Sequence, residues 1–427
     1  MKIVLFGLFG CGNLGNDGSL EAVVKQLRGA APDARLTVVC LDRDVVAERI
    51  DADLVALEPS QQLAPAVRKL DKLLLRLPSR LLDFVSAFRV LRTAEAMIVP
   101  GTGILDDYGE RPYQMPLVIF LWTLAARLAR TKVAYLSIGA GPIRNRFSRF
   151  LLLSAARMAH YRSYRDTVSR DFMTRCGIDT SGDEVFPDVA FGLPVPAAPV
   201  RDRRAGDGLV VGLGAMNYLG WYRHSPQGAA IYRRYVANIT EFAAWLLDSG
   251  CSIRLLTGEL NDRDAVEDVL RGLRERRAEQ VRDRVVAEPA RSLDDVMEQL
   301  AQTDVAVVSR FHNIVCAIKV AVPVMSLGYA AKNEALLDEV GLGGMSQHME
   351  DFDLARLKDD LRSLAARRAE HRAALRARAA QFAERLREQD ALVMRRIGFP
   401  DGSAERGAGP RKQNPLPSRR GGSSLSG

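Results

Sequence analysis

Residues 3–6 form an unbroken apolar run, followed by glycines and then by 19–28, where apolar positions recur at helical spacing. The same succession returns further along. Residues 35–40, 96–99 and 133–138 read as strands, closed by Leu41-Asp42, by Pro100-Gly101 and by Gly139-Ala140-Gly141-Pro142. Shorter strands are expected at 161–164 and 184–185. Strands alternating with amphipathic stretches predict a parallel, doubly wound sheet. Residues 194–208, dense in Pro, Ala, Arg and Gly, interrupt the pattern, which then restarts. Strands are expected at 209–213, 252–256, 305–308 and 322–326, with helices at 232–249 and 262–274. A long helix rich in Ala, Arg, Leu and Glu should run from 354 to 387. Beyond residue 401 apolar periodicity is lost.

The reading is therefore α/β: a Rossmann-like domain over 1–195, a linker at 196–208, a second Rossmann-like domain with its closing helix over 209–395, and a disordered tail over 396–427. Ligands of such sheets sit at the carboxyl ends of the strands, which places a site between the two halves.

Composition narrows this only a little. With 47% hydrophobic and 26% charged residues, the chain of 427 residues has the balance of a globular protein rather than a disordered or collagenous one. Its net charge of +8 suits small anions, or loose attraction to acidic lipid, better than dedicated nucleic-acid binding. The five cysteines are scattered, with neither pairing nor metal-ligand spacing, so reduced thiols in a cytoplasmic setting are expected and no metal site. The apolar start is short, broken by Gly7, and carries only Lys2, so it is expected to be a buried strand rather than an export signal. The apolar stretch at 117–129 is too short to cross a bilayer.

Four segments carry candidate chemistry. Gly12, Asn13, Asn16 and Asp17 belong to a glycine-rich turn between a strand and a helix, where backbone amides can approach an anion. It fits neither the dinucleotide nor the P-loop pattern. A second turn, Pro100-Gly101-Thr102-Gly103, precedes Asp106-Asp107-Tyr108, with Gly101 and Gly103 shaping a cleft wall. Arg165 ends a short strand, where its planar fork suits a carboxylate or phosphate, and Asp188 follows as a helix cap or an orienter of a charged partner. In Ser309-Arg310-Phe311-His312, read as extended, Arg310 and His312 point to one face with Phe311 inward, pairing an anchoring cation with a proton-transfer imidazole. Lys332 adds charge or is a solvated helix-start lysine.

Taken in order, Gly12–Gly18, the turn at 101–103, Tyr164-Arg165-Asp166, Phe186-Pro187-Asp188-Val189-Ala190-Phe191, Ser309-Arg310-Phe311-His312 and the segment from Val322-Pro323 to Lys332 resemble the polysaccharide pyruvyl transferase family. The chain departs from it in having Gly-Thr-Gly for a Gly-Gly-Gly run, and Phe311 where Leu is commoner. The resemblance implies a glycosyltransferase-B-like fold. It also implies transfer of pyruvate from phosphoenolpyruvate to a sugar diol of a cell-envelope polysaccharide or glycolipid precursor, giving a cyclic ketal and phosphate without a cofactor. Arg165, Arg310 and Lys332 would then hold the donor. His312, kept neutral by a helix amino terminus and by Arg310, would act on both proton transfers. Competing readings are a nucleotide-sugar glycosyltransferase of the same architecture and a non-catalytic carbohydrate-binding relative. The basic, Leu-rich stretch at 63–92 raises peripheral contact with the inner face of the cell membrane, where lipid-linked acceptors sit. The aromatic residues of 216–225 are expected to stack on the acceptor.

Overall fold

A computed structural model describes residues 1–64, 67, 69, 71, 74, 76–197, 208–221 and 227–397. The predicted linker and the predicted tail fall almost wholly outside the described residues.

The first half is a seven-stranded parallel sheet: β1 (Lys2–Phe6), β2 (Arg35–Cys40), β3 (Asp53–Ala56), β4 (Ala96–Pro100), β5 (Lys132–Ile138), β6 (Tyr161–Tyr164) and β7 (Glu184–Val185). They lie in the order β3-β2-β1-β4-β5-β6-β7. The central strands β1 and β4 are buried along nearly their whole length, which is why they read as continuous apolar runs. The second half repeats the plan with β8 (Val210–Gly214), β9 (Ser252–Leu256), β10 (Val285–Val286), β11 (Val305–Val308), β12 (Val324–Gly328) and β13 (Ser346–His348), ordered β10-β9-β8-β11-β12-β13. In each sheet the winding reverses beside the first strand, between β1 and β4 and between β8 and β11. Such a reversal opens a crevice at the carboxyl edge.

The closing helix differs from expectation. It is two helices, Leu354–Ala366 and Arg368–Ile397, joined at Arg367. The second returns to the first half. Gln389 donates to the hydroxyls of Ser137 (2.9 Å) and Ser163 (2.7 Å), while Val393 and Ile397 join the apolar core beside β1 and β2. Phe382 packs on Phe191, their ring centroids 4.7 Å apart. Lys319, in the second half, donates to the carbonyls of Phe191 (2.8 Å) and Leu193 (2.6 Å). The returning helix thus ties the halves together, and Phe382 and Phe191 come close to Arg165, Asp188 and Phe311.

Candidate active site

Helix Leu14–Ala30 opens with Asn13 as its cap, whose side chain accepts the amides of Gly15 and Asn16. Asn16 donates to the Leu8 carbonyl (3.3 Å), and Asp17 accepts the Gly10 amide (2.8 Å). Burial raises the pKa of Asp17, with that amide and Arg49 pulling the other way. These three polar side chains brace the turn itself. That corrects the expectation that this turn serves to bring backbone amides to an anion.

The glycines serve a different purpose. A Cβ at Gly12 would meet Leu260 at 3.1 Å, one at Gly15 would lie 1.9 Å from His312 Nδ1, and one at Gly18 would lie 2.3 Å from Leu293. All three neighbours belong to the second half. Gly12, Gly15 and Gly18, spaced by three, let the other domain approach. Backbone bonds complete the contact: the Leu14 amide donates to Gly258, and the Leu260 amide to Gly12.

Arg310 is the second correction. The chain turns helical at Phe311, with Arg310 as the cap residue of helix Phe311–Lys319, so extended alternation does not apply. Arg310 reaches Glu259 (2.7 Å) and makes two bonds to fully buried Asp262, at 3.0 and 2.7 Å. Burial opposes its charge, but Asp262 and Glu259 outweigh this and hold its pKa above the ordinary arginine value. Its charge is already matched by two carboxylates. Neither partner was found from the sequence, although Thr257-Gly258-Glu259 after a strand has the look of a site loop.

His312 instead faces the first half, against Gly15, with Nε2 3.7 Å from Asp188 Oδ2 and no hydrogen-bond partner on that nitrogen. Burial pushes its pKa down to about 4; Asp188 opposes this, while Arg165 and Lys332 add to it. The imidazole is neutral at physiological pH, as expected from the sequence. The charges responsible, after burial, are Arg165 and Lys332 rather than Arg310.

Arg165 is 5% exposed and extends over the Phe311 ring, 4.1 Å from its centroid. Its Nη1 donates to Asp188 Oδ2 (3.1 Å), so one carboxylate serves both Arg165 and His312. The other Asp188 oxygen caps the turn Val189–Gly192 through the Ala190 amide. Both readings of Asp188, cap and orienter, therefore describe the same residue. Gly139 provides the space for Arg165: a Cβ there would lie 2.6 Å from Nη2. Gly101 gives way to Val189, whereas Gly103 faces the cleft.

Between the halves lies a cavity of about 170 Å³, lined by Asp106, Gly139 to Pro142, Arg165, Arg175 and, from the second half, Lys332. Three of its lining residues are cations and one is a carboxylate. Lys332 also lies 5.5 Å from the Tyr329 ring centroid. Beside the cavity, Tyr218 stacks on Tyr329 (5.4 Å) and Tyr329 on Tyr108 (4.8 Å), with Trp221 edge-on to Tyr108. Of the aromatic residues expected to face an acceptor, Tyr218 thus packs on Tyr329 and Trp221 on Tyr108, while Tyr222 lies outside the described residues. Among the described residues, no cluster of His, Cys, Asp and Glu is arranged to hold a metal ion. No helix among them is long and apolar enough to cross a membrane.

Two parallel sheets with facing carboxyl edges and a returning C-terminal helix define a glycosyltransferase-B-like architecture. Solved structures share it. An S. aureus MnaA in complex with UDP is 12% identical, with a TM-score of 0.59, covering 94% of this chain and 98% of its own. The UDP-GlcNAc 2-epimerase of Neisseria meningitidis is 12% identical, with a TM-score of 0.57, covering 92% and 100%. The lipopolysaccharide outer core galactosyltransferase WaaB is 10% identical, with a TM-score of 0.54, covering 92% and 100%. At such identities the likeness concerns the fold. No curated protein sequence matches the chain. Residues 13–330 match the model of the polysaccharide pyruvyl transferase family, and the chain belongs to that family of transferases.

Proposed function

We propose that this enzyme transfers pyruvate from phosphoenolpyruvate to two hydroxyls of a sugar, forming a ketal and releasing phosphate. The observation that carries the reading is the cavity between the halves, lined by Arg165, Arg175 and Lys332, with neutral His312 3.7 Å from the Asp188 carboxylate that pairs with Arg165. The donor carries a phosphate and a carboxylate, and such groups are held by a guanidinium fork and a lysine. A neutral imidazole next to them is suited to take a proton from an attacking hydroxyl. Arg310, neutralised by Glu259 and Asp262, is assigned to bracing the segment after β9 rather than to gripping the donor. No cofactor is required by this chemistry.

Phosphate release from phosphoenolpyruvate across a panel of nucleotide-linked and lipid-linked sugars tests the reading. His312→Gln should lower turnover by about 10²–10⁴-fold, the usual contribution of a positioned base. Release of UDP from UDP-sugars with no phosphoenolpyruvate consumption would establish the glycosyltransferase alternative instead.

The acceptor side is proposed to meet an acidic bilayer surface. Leu77 (68% exposed) and Leu81 (65%) lie at the amino end of helix Leu77–Leu91, beside Arg76 and Arg80. Phe147 (53%) and Phe150 (61%) lie at the amino end of helix Arg146–Met158, beside Arg146 and Arg149. In a parallel α/β layer these helix ends share the carboxyl edge of the sheet with the cleft. Apolar and basic side chains together suit an anionic interface. Sedimentation with vesicles containing anionic lipid should retain the protein, and serine at the four apolar positions should release it.

A further inference from the structure

Among the described residues, Asp106 sits near cations without an ion pair to any of them. A Cβ built on Gly103 would lie 3.5 Å from Asp106 Oδ2, 3.6 Å from Arg165 Nη2 and 4.0 Å from Lys332 Nζ, so three charged ends converge on one point of the cavity wall. Among the described residues neither Arg165 nor Lys332 comes within ion-pair distance of Asp106; the partners of Arg165 are Asp166 and Asp188. Asp106 Oδ1 accepts the Tyr108 amide at 3.1 Å, leaving Oδ2 on the side of Gly103. Its neighbour Asp107 is different. Both oxygens of that buried carboxylate accept backbone amides, from Arg144 (2.9 Å) and Asn145 (2.8 Å), so it fixes the loop.

A carboxylate on the wall of an anion site is a misfit, because an ionised Asp106 would face the donor's negative groups across a cavity of about 170 Å³. The misfit disappears if the carboxyl carries a proton while the donor is bound. Burial already raises the pKa of Asp106, with Lys332 and Arg165 opposing the rise and Asp107 adding to it. An entering anion offsets the two opposing cations.

The reaction needs such a proton. The donor's methylene carbon must become a methyl group, and neutral, buried His312 is placed to accept a proton rather than to give one. Resting on the phosphoenolpyruvate reading above, we propose that Asp106 takes up a proton as the donor binds and delivers it to the donor's methylene carbon. The double-bond pair forms the new C–H bond as the Asp106 O–H bond breaks. The electron-poor central carbon takes the oxygen of one acceptor hydroxyl, whose proton passes to His312. The second hydroxyl oxygen then displaces phosphate, which leaves with the C–O bonding pair. Of the two hydroxyl protons, one replaces that spent on the methyl group and the other leaves with phosphate or solvent, so no redox partner is needed. Two titratable groups in one cleft, pushed to opposite roles by their surroundings, divide the acid and base work.

The test needs no acceptor. Phosphoenolpyruvate is titrated into the full-length protein by calorimetry between pH 7.5 and 9, in buffers of different ionisation enthalpy, so that proton uptake is counted. The groups facing the bound donor are Asp106, Arg165, Arg175 and Lys332, with His312 and Asp188 behind Arg165. Wild-type protein should take up a proton, and its affinity should weaken up to about tenfold per pH unit, the limit for one required proton. His312→Gln should keep that uptake. Asp106→Asn, which preserves shape and can still accept the Tyr108 amide, should lose it and bind at pH 9 at least about tenfold more tightly than wild type. On any sugar that supports phosphate release, Asp106→Asn should be about 10²–10⁴-fold slower, with partial recovery in Asp106→Glu. Uptake that persists in Asp106→Asn, or that vanishes in His312→Gln, overturns the assignment. Failure of unmodified protein to bind phosphoenolpyruvate at any pH is a separate result, and it would sink the donor reading itself.

Discussion

The two glycine-rich turns of the first sheet look alike in sequence and do opposite work. After β1, the glycines at 12, 15 and 18 are filled from across the cleft by Leu260, His312 and Leu293. After β4, the nearest atoms to a Cβ at Gly103 are the ends of Asp106, Arg165 and Lys332, at ordinary contact distance, and those three residues line the cavity. The first turn makes room for the other domain, whereas in the second Gly101 makes room for Val189 and only Gly103 is left beside charged ends. A glycine pattern reports close approach without saying what approaches.

The sharpest way to break this contrast is a methyl group in each turn. Gly15→Ala puts a Cβ 1.9 Å from the imidazole, on a helix that cannot yield, so His312 must leave its place beside Asp188. Turnover should fall by at least about 100-fold, since loss of a positioned base costs that much or more. Gly103→Ala meets nothing closer than 3.5 Å. Its unfolding midpoint should stay at the wild-type value, while phosphoenolpyruvate affinity falls several-fold because the methyl group crowds the ends of Asp106, Arg165 and Lys332. Equal loss of stability in the two variants would erase the distinction.

A second effect comes from His312 alone. Its pKa in the folded protein, about 4, lies below the ordinary histidine value of 6.5. The unfolded chain therefore binds the proton more readily between these values. Stability from this residue is fully present above pH 6.5 and is lost as pH falls toward 4, by about 3 kcal/mol in all. Denaturant unfolding followed between pH 7 and 4 should show this slope in wild type and a shallower one in His312→Gln. The ligand side of the cleft would then be the part that acid loosens first.

Most of the fold could be read from the chain because its central strands are buried on both faces and so appear as unbroken apolar runs, 96–100 and 305–308 above all. What escaped were three of the four edge strands, since β7 was expected and β10 is only Val285-Val286. β3 is a half-exposed Asp-Leu-Val-Ala, and β13 is Ser-Gln-His, with no apolar signal at all. The break at Arg367 was also hidden, since helix-forming residues flank it on both sides. At the site, Arg165 was picked out as the end of a short strand, and His312 by a pairing with Arg310 in a segment that follows a strand. Arg310 was misplaced by treating 309–312 as extended. Its partners Glu259 and Asp262 are about fifty residues away in sequence, and local spacing cannot reveal such a pairing. Asp106 was noticed only as part of a turn, because its meaning depends on cations from two other segments.

The smallest test lies within one helix, Leu14–Ala30, which carries a packed glycine and a free one. Gly18 faces Leu293 so closely that a Cβ would lie 2.3 Å from it, whereas nothing lies within 4 Å of a Cβ at Gly29. Alanine at both positions gains the same helix-forming advantage over glycine, about 0.5–1 kcal/mol in a helix interior. At position 18 that gain is opposed by overpacking against the other domain, which costs about 1–3 kcal/mol. Gly18→Ala should therefore lower stability, and Gly29→Ala, one residue from the helix end, should raise it by about 0.5 kcal/mol. Thermal unfolding of the two variants side by side decides the matter. Should Gly18→Ala gain as much as Gly29→Ala, the domains would be further apart in solution than the packing of Gly12, Gly15 and Gly18 requires. The closed arrangement of His312 against the first half would then fail with it.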